Sequence, residues 1–269
     1  MCLVVLALGV RPGFPLVLAA NRDEFYARPT AAAAFWSEAP GLLAGRDLRG
    51  GGSWLGVTAS GRFAAITNFR DPASFDPGAP SRGGLVRDFL LADDEPEAWL
   101  TRLGSRAGRY NPFNLLVGAG GRVASFASRT SEVRLLPPGL YGLSNHLLDT
   151  PWPKVERARG AVARILHEDP DRGLEPDEVL AALADRTPAP DAELPDTGVG
   201  VAWERALSPV FIATPEYGTR SSTVVVIDHR GSALFLERTV APPGSEREVR
   251  QRIPFPGWDG APGPGAPAA

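Results

Sequence analysis

The sequence predicts a single α+β domain. Three observations carry this: β-friendly apolar runs occur at both ends of the chain, helical periodicities lie between them, and no linker divides the first 250 residues. A length of 269 residues, 43% hydrophobic and 22% charged, supplies a full core and too few charges for a disordered chain or a coiled coil. The net charge of -3 gives no basic field, so nucleic acid and anionic membrane are not expected partners. Basic residues are almost all arginine, with Lys154 the single lysine, so a lone arginine marks no site by itself.

Leu3–Leu8 and Leu16–Ala20 read as a hairpin around Arg11-Pro12-Gly13, and Asn21-Arg22-Asp23-Glu24 closes the second strand. Neither run approaches the roughly 20 residues of a membrane span, and no cationic segment precedes them. A cytoplasmic protein is expected, the alternative being an atypical signal peptide ending near Ala20. Tyr26–Leu48, with Pro29, Pro40 and an alanine stretch, reads as a long surface loop. Trp54–Thr58 and Arg62–Asn68 form the next expected hairpin, after a Gly50-Gly51-Gly52 turn.

Helices are expected over 82–92, capped by Ser81, and over 96–103. Phe113–Gly118, Arg122–Ala127, Val133–Pro137 and Leu140–Ser144 read as an antiparallel meander. A long helix is expected from Pro153 to His167 and a shorter one over Glu175–Asp185. Gly218–Ile227 and Ser232–Thr239 pair as a last hairpin. Residues 1–250 thus make the domain, and the Pro- and Gly-rich stretch 251–269 reads as a disordered tail.

P-loop, nucleophile-elbow, H-E-x-x-H and EF-hand patterns are absent. One cysteine excludes an internal disulfide and a Cys-based zinc site, and three scattered histidines suggest no metal site. Cys2 carries the chemistry. If Met1 is removed, its thiol and a free α-amine share one residue, and an amine of pKa ~7.7–8.0 is a usable base at neutral pH. The plain alternative is a small apolar residue buried in a strand.

Cys2, Asn21-Arg22-Asp23-Glu24, Gly51-Gly52-Ser53-Trp54-Leu55-Gly56, Tyr110-Asn111-Pro112-Phe113-Asn114, Gly142-Leu143-Ser144-Asn145 with Pro151-Trp152-Pro153-Lys154-Val155, and Tyr217-Gly218-Thr219-Arg220-Ser221-Ser222-Thr223 together resemble the NRDE family, in the family's order, over residues 1 to about 240. That family is similar to N-terminal nucleophile hydrolases of the choloylglycine hydrolase and penicillin acylase type. The resemblance implies a four-layer αββα sandwich of two antiparallel sheets.

It also implies a site made of Cys2 as nucleophile with Arg22, Asp23, Asn68, Asn145 and Arg220. Asp23 would hold the α-amine, and Asn145 would offer an N–H to the oxyanion with Asn68 beside it. Arg22 and Arg220 would place charge near the nucleophile, with Arg220 holding the thiol pKa down. Because adjacent strand residues point to opposite faces, Arg22 and Asp23 cannot both face Cys2 on a regular strand, and Asp23 is the favoured one.

The expected substrate is a small amide or thioester, with no cofactor required. The family resemblance equally supports a non-catalytic protein that handles haem or acyl lipid as cargo, for which Cys2 and His146 are the candidate iron ligands. A purely structural role on a degenerate scaffold is the third reading. The segments 26–48 and 187–203 would set specificity, and the sequence carries no signal of oligomeric state.

Overall fold

In the computed structural model, which describes residues 2–168, 172–240 and 247–258, strand β1 (Cys2–Arg11) is the hinge of the architecture. Its side chains alternate between two apolar layers. Val4, Leu6 and Leu8 join one cluster, while Leu3, Val5 and Ala7 join the other. A strand that reads as a continuous apolar run is therefore covered on both faces.

β1 pairs with β2 (Phe14–Phe25) and β10 (Gly139–Leu143) in a six-stranded sheet that continues through β11 (Tyr217–Asp228), β12 (Ser232–Thr239) and β13 (Arg247–Pro254). A seven-stranded sheet runs in chain order through β3 (Thr30–Trp36), β4 (Ala39–Asp47), β5 (Leu55–Thr58), β6 (Phe63–Asn68), β7 (Phe113–Ala119), β8 (Arg122–Ala127) and β9 (Glu132–Leu135). All pairings are antiparallel.

Helices α1 (Gly83–Leu90) and α2 (Pro96–Gly104) cover the outer face of the second sheet, contacting β5, β6, β7, β8 and β9. Helices α3 (Pro153–His167) and α4 (Pro176–Ala182) cover the first sheet, α3 laying Val155, Ala158 and Val162 over β1 and β10 and α4 laying Val179 and Leu180 over β11. A short α5 (Val201–Ala206) follows. The layers are α, β, β, α, as the resemblance implies.

Three expectations change. Residues 26–48 are not a loop: β3 and β4 pair there and bury Ala33, Trp36, Leu42 and Leu43. Alanine-rich sequence gives little apolar contrast, and two register shifts blur the alternation further. The expected four-strand meander is also broken, because β10 leaves β9 after Pro137-Pro138 and pairs instead with β1, from Val4↔Leu143 to Leu8↔Gly139. α1 begins after Arg82, and the expected Ser81 contact is present: its Oγ accepts from the Gly83 N–H at 3.4 Å.

The expected tail boundary at 251 falls inside β13. Phe255 and Trp258 beyond it are fully buried, and Trp258 Nε1 donates to the Gly61 carbonyl at 2.9 Å. Gly61 has φ +86°, and a Cβ there would lie 2.2 Å from the Pro256 oxygen, so the turn must be glycine. The stretch looked uncompensated because only two large apolar side chains follow the strand, yet both fill one socket beside Phe63. Residues 259–269 of the expected tail lie outside the described residues.

One polar strut crosses between the sheets. Glu237 of β12 accepts from the Ala33 N–H of β3 at 2.7 Å and from Thr223 Oγ1 at 3.3 Å. Burial pushes its carboxyl up to about 7.

Trp258→Ala should cost about 3–5 kcal/mol of stability, the range for emptying a buried aromatic site. A urea titration of parent and variant checks this. A loss under 1 kcal/mol would mean that the segment after β13 is not part of the core.

Candidate active site

Cys2 is the first residue of β1 and lies directly opposite Arg22 of β2. Opposed residues of an antiparallel pair share a face, so thiol and guanidinium point together toward the second sheet. They open onto a cleft of about 450 Å³, also lined by Asp23, Asn68, Trp54 and Arg82. Beyond Glu24 and Asn68, which line both, a second cavity of about 430 Å³ is walled by Phe25, Trp203, Leu207 and Tyr217.

Burial pushes the thiol of Cys2 above its ordinary value, against the pull of Arg22 and of a hydrogen bond from the Asp23 N–H. The expected depression is therefore not found. Ser144 Oγ donates to the Cys2 carbonyl at 3.0 Å and fixes the strand end against β10.

Arg22 is held on two sides. Its Nη1 donates to Thr30 Oγ1 at 3.0 Å, and its guanidinium lies 4.2 Å over the ring of Trp54. The turn before Trp54 is positioned by bare backbone: Ser53 N–H donates to the Gly83 carbonyl, and a Cβ on Gly52 would lie 2.2 Å from the Gly83 carbonyl carbon.

The alternation expected for Asn21-Arg22-Asp23-Glu24 holds, but the favoured choice is reversed: Arg22, not Asp23, shares the face of Cys2. Asn21 points the other way. Its Nδ2 donates to the carbonyls of Leu183 and Val210, and its Oδ1 accepts from Ser222, so the buried amide clamps the strand to the helical layer. Asp23 follows on that side, where its Oδ1 accepts from Thr219 Oγ1 at 2.8 Å. Because β1 ends at Cys2, Asp23 still reaches the cleft wall.

Asn68 ends β6 and lines the cleft. Asn145 does not: it is fully buried behind Asn68, donating Nδ2 to the Asn68 carbonyl at 3.0 Å and accepting from Ser144. Arg220 is also elsewhere. It sits at a register shift of β11, and its Nη1 reaches the carbonyls of Phe25, Tyr26 and Arg28, fastening the turn after β2. A strand bulge re-aims a side chain in this way, which spacing along the chain does not reveal. His146 has its Nδ1 on Thr150 Oγ1 and packs between Phe69 and Trp152, so it and Cys2 do not line one cavity. Among the described residues no group of three His, Cys, Asp or Glu could hold a metal.

Sequence reasoning assigned no role to Lys154, the second residue of α3. It is 2% exposed, and its Nζ makes no hydrogen bond among the described residues. Burial lowers it to about 8, against the attraction of Asp23. Nearby, Arg70 and Glu204 form a buried ion pair, and Arg70 stacks 4.7 Å over Trp152. The available signal was compositional: one lysine survives in a chain that otherwise uses arginine.

A model of the Transport and Golgi organisation 2 family matches residues 1–242. The chain belongs to that family. It is 34% identical to the Transport and Golgi organization protein 2 homolog of Bos taurus over 262 residues, covering 89% of this chain and 93% of the relative. The Drosophila melanogaster member is 30% identical over 272 residues, covering 89% and 92%. Among solved structures, the C2A mutant of conjugated bile acid hydrolase from Clostridium perfringens superposes with a TM-score of 0.50 at 9% identity, covering 93% of this chain and 92% of that one. The likeness is one of fold, two antiparallel sheets packed between helical layers. No helix among the described residues is long and apolar enough to cross a membrane.

The lowered Lys154 makes stability depend on pH. The folded amine releases its proton near 8 and the unfolded one near 10.5, so the unfolded chain holds more protons between these values and stability rises with pH across that window. The raised Cys2 acts in the opposite sense at the upper end, and the comparison with Lys154→Met isolates the lysine. The variant should lack a rise of about 2 kcal/mol between pH 8 and 10. Parallel urea-derived curves for parent and variant would contradict the assignment.

Proposed function

We propose that this chain is a cysteine N-terminal nucleophile hydrolase or acyltransferase that acts on an amide or thioester through an acyl-Cys2 intermediate. The observation that carries the reading is the convergence of Cys2, Arg22, Asp23 and Asn68 on one cleft that opens onto an apolar groove.

Loss of Met1 leaves the α-amine of Cys2 free. The amine takes the thiol proton, and the sulfur attacks the carbonyl carbon, forming a C–S bond and a tetrahedral oxyanion. Asn68 is the amide donor that lines the cleft and stabilises that oxyanion, while Asn145 holds the Asn68 backbone. Asp23, kept in place by Thr219, orients the α-ammonium, which returns its proton to the departing amine or thiol. Water or an acceptor nucleophile then cleaves the thioester and regenerates Cys2. The buried thiol favours this route, because a proton passed directly to the adjacent amine does not require a standing thiolate.

Incubation with a short acyl thioester, read by intact mass, should add one acyl group at Cys2 in the parent. Cys2→Ser should reduce capture at least a hundredfold, and Asn68→Ala should slow it about 10²–10³-fold, the effect of losing one oxyanion donor. Equal capture by Cys2→Ser, or none by the parent, would contradict the reading.

A further inference from the structure

Four arginines and four carboxylates line the cleft, but the ion pairs do not take up every guanidinium. Asp47 is taken by Arg28, at 2.6 Å, and by the N–H groups of Arg49 and Gly50. Glu24 accepts from its neighbour Phe25 N–H and lies 3.8 Å from the same Arg28. Asp76 accepts from the Gly78 N–H at the outer rim.

Arg49 is exposed, which leaves Arg22 and Arg82 as the guanidiniums withdrawn from solvent. Neither makes an ion pair among the described residues: Arg22 is anchored on Thr30 and the Trp54 ring, and Arg82 donates Nη1 to the Pro112 carbonyl at 2.9 Å. Arg22 is 5% exposed and Arg82 is half-buried. Arginine does not shed its proton at any relevant pH, so two such guanidiniums lining one cleft with no ion pair carry a desolvation cost that Glu24, acting on Arg82 at longer range, offsets only in part and a bound anion would relieve. Each side chain is fixed by a neutral acceptor on one edge, which leaves the planar fork to receive oxygen atoms.

We propose that Arg22 and Arg82 form an oxyanion-binding subsite beside Cys2 that recognises a carboxylate or phosphate carried by the substrate. Arg82 is the specificity-determining member: it stands just before α1, lines the cleft with Arg22 and Cys2 and lies close enough to Cys2 for their charges to interact, so an anion bound there holds the acyl carbonyl next to the thiol. The link to substrate rests on the acyl-Cys2 reading, but anion binding itself does not.

The test uses the full chain, Arg82→Gln and Arg82→Lys, with circular dichroism confirming that each is folded. Melting is followed in inorganic phosphate, in acetate and in chloride at equal ionic strength. Phosphate or acetate should raise the melting temperature of the parent above chloride, and Arg82→Gln should lose most of that shift while Arg82→Lys keeps part of it. A shift with phosphate alone assigns a phosphate group, and a shift with acetate alone a carboxylate.

Alkylation of Cys2 by iodoacetate and by iodoacetamide then compares a charged and a neutral probe of similar shape. The ratio of the two rates should fall about tenfold in Arg82→Gln, the worth of one charge-assisted hydrogen bond. An anion shift in melting with no labelling of Cys2 by either reagent keeps the subsite and removes the acyl-Cys2 reading. No anion-specific shift in the parent, or a shift retained in full by Arg82→Gln, overturns the subsite.

Discussion

The register of β1 against β2, with Cys2 opposite Arg22, is the constraint on which the site depends. A slip of one residue would exchange the two faces of β1, turning the thiol toward the helices and Leu3 into the cleft. Several polar contacts hold the register. Asn21 satisfies its amide with Leu183, Val210 and Ser222, and Ser144 grips the Cys2 carbonyl from the other side. A fully satisfied buried amide specifies one alignment, because any other leaves its donors without partners. The first residue of the polar quartet therefore serves the fold, and the next two serve the cleft.

The strand end separates charges into two groups. On the helical side, Asp23, Lys154, Arg70 and Glu204 lie in low-dielectric surroundings and influence one another. Burial raises Asp23 and lowers Lys154, and their mutual attraction opposes both shifts. Lys154 thereby favours the ionised form of Asp23. On the cleft side, Arg22 and Arg82 make no ion pair among the described residues. On the acyl-Cys2 reading, proton handling and substrate recognition occupy opposite faces of the same strand pair, with Cys2 and Asp23 reaching the cleft from both.

Much of this was legible in the sequence where local chemistry decides the outcome. The first hairpin, the hairpin around Gly61, the helix started by Pro153 and the hairpin of β11 and β12 follow from apolar runs and turn residues. Placements set by tertiary contact were not legible. β10 changes sheets, β3 and β4 hide in alanine-rich sequence, and Trp258 finds a socket in a remote turn. The same distinction divides the site. Cys2, Arg22, Asp23 and Asn68 lie at strand ends and converge, whereas Arg220 is re-aimed by a bulge and Asn145 is occluded by Asn68. Lys154 and Arg82 acquire meaning only from what surrounds them, since burial and missing counter-charges are properties of the fold.

The account requires a free α-amine on Cys2, since the proposed route hands the thiol proton to that amine. Intact mass of the purified chain, with sequencing of its first residues, measures this directly. The account predicts a protein lighter than the full translated sequence by one methionine and beginning at Cys2. A population that retains Met1 in every molecule would contradict it.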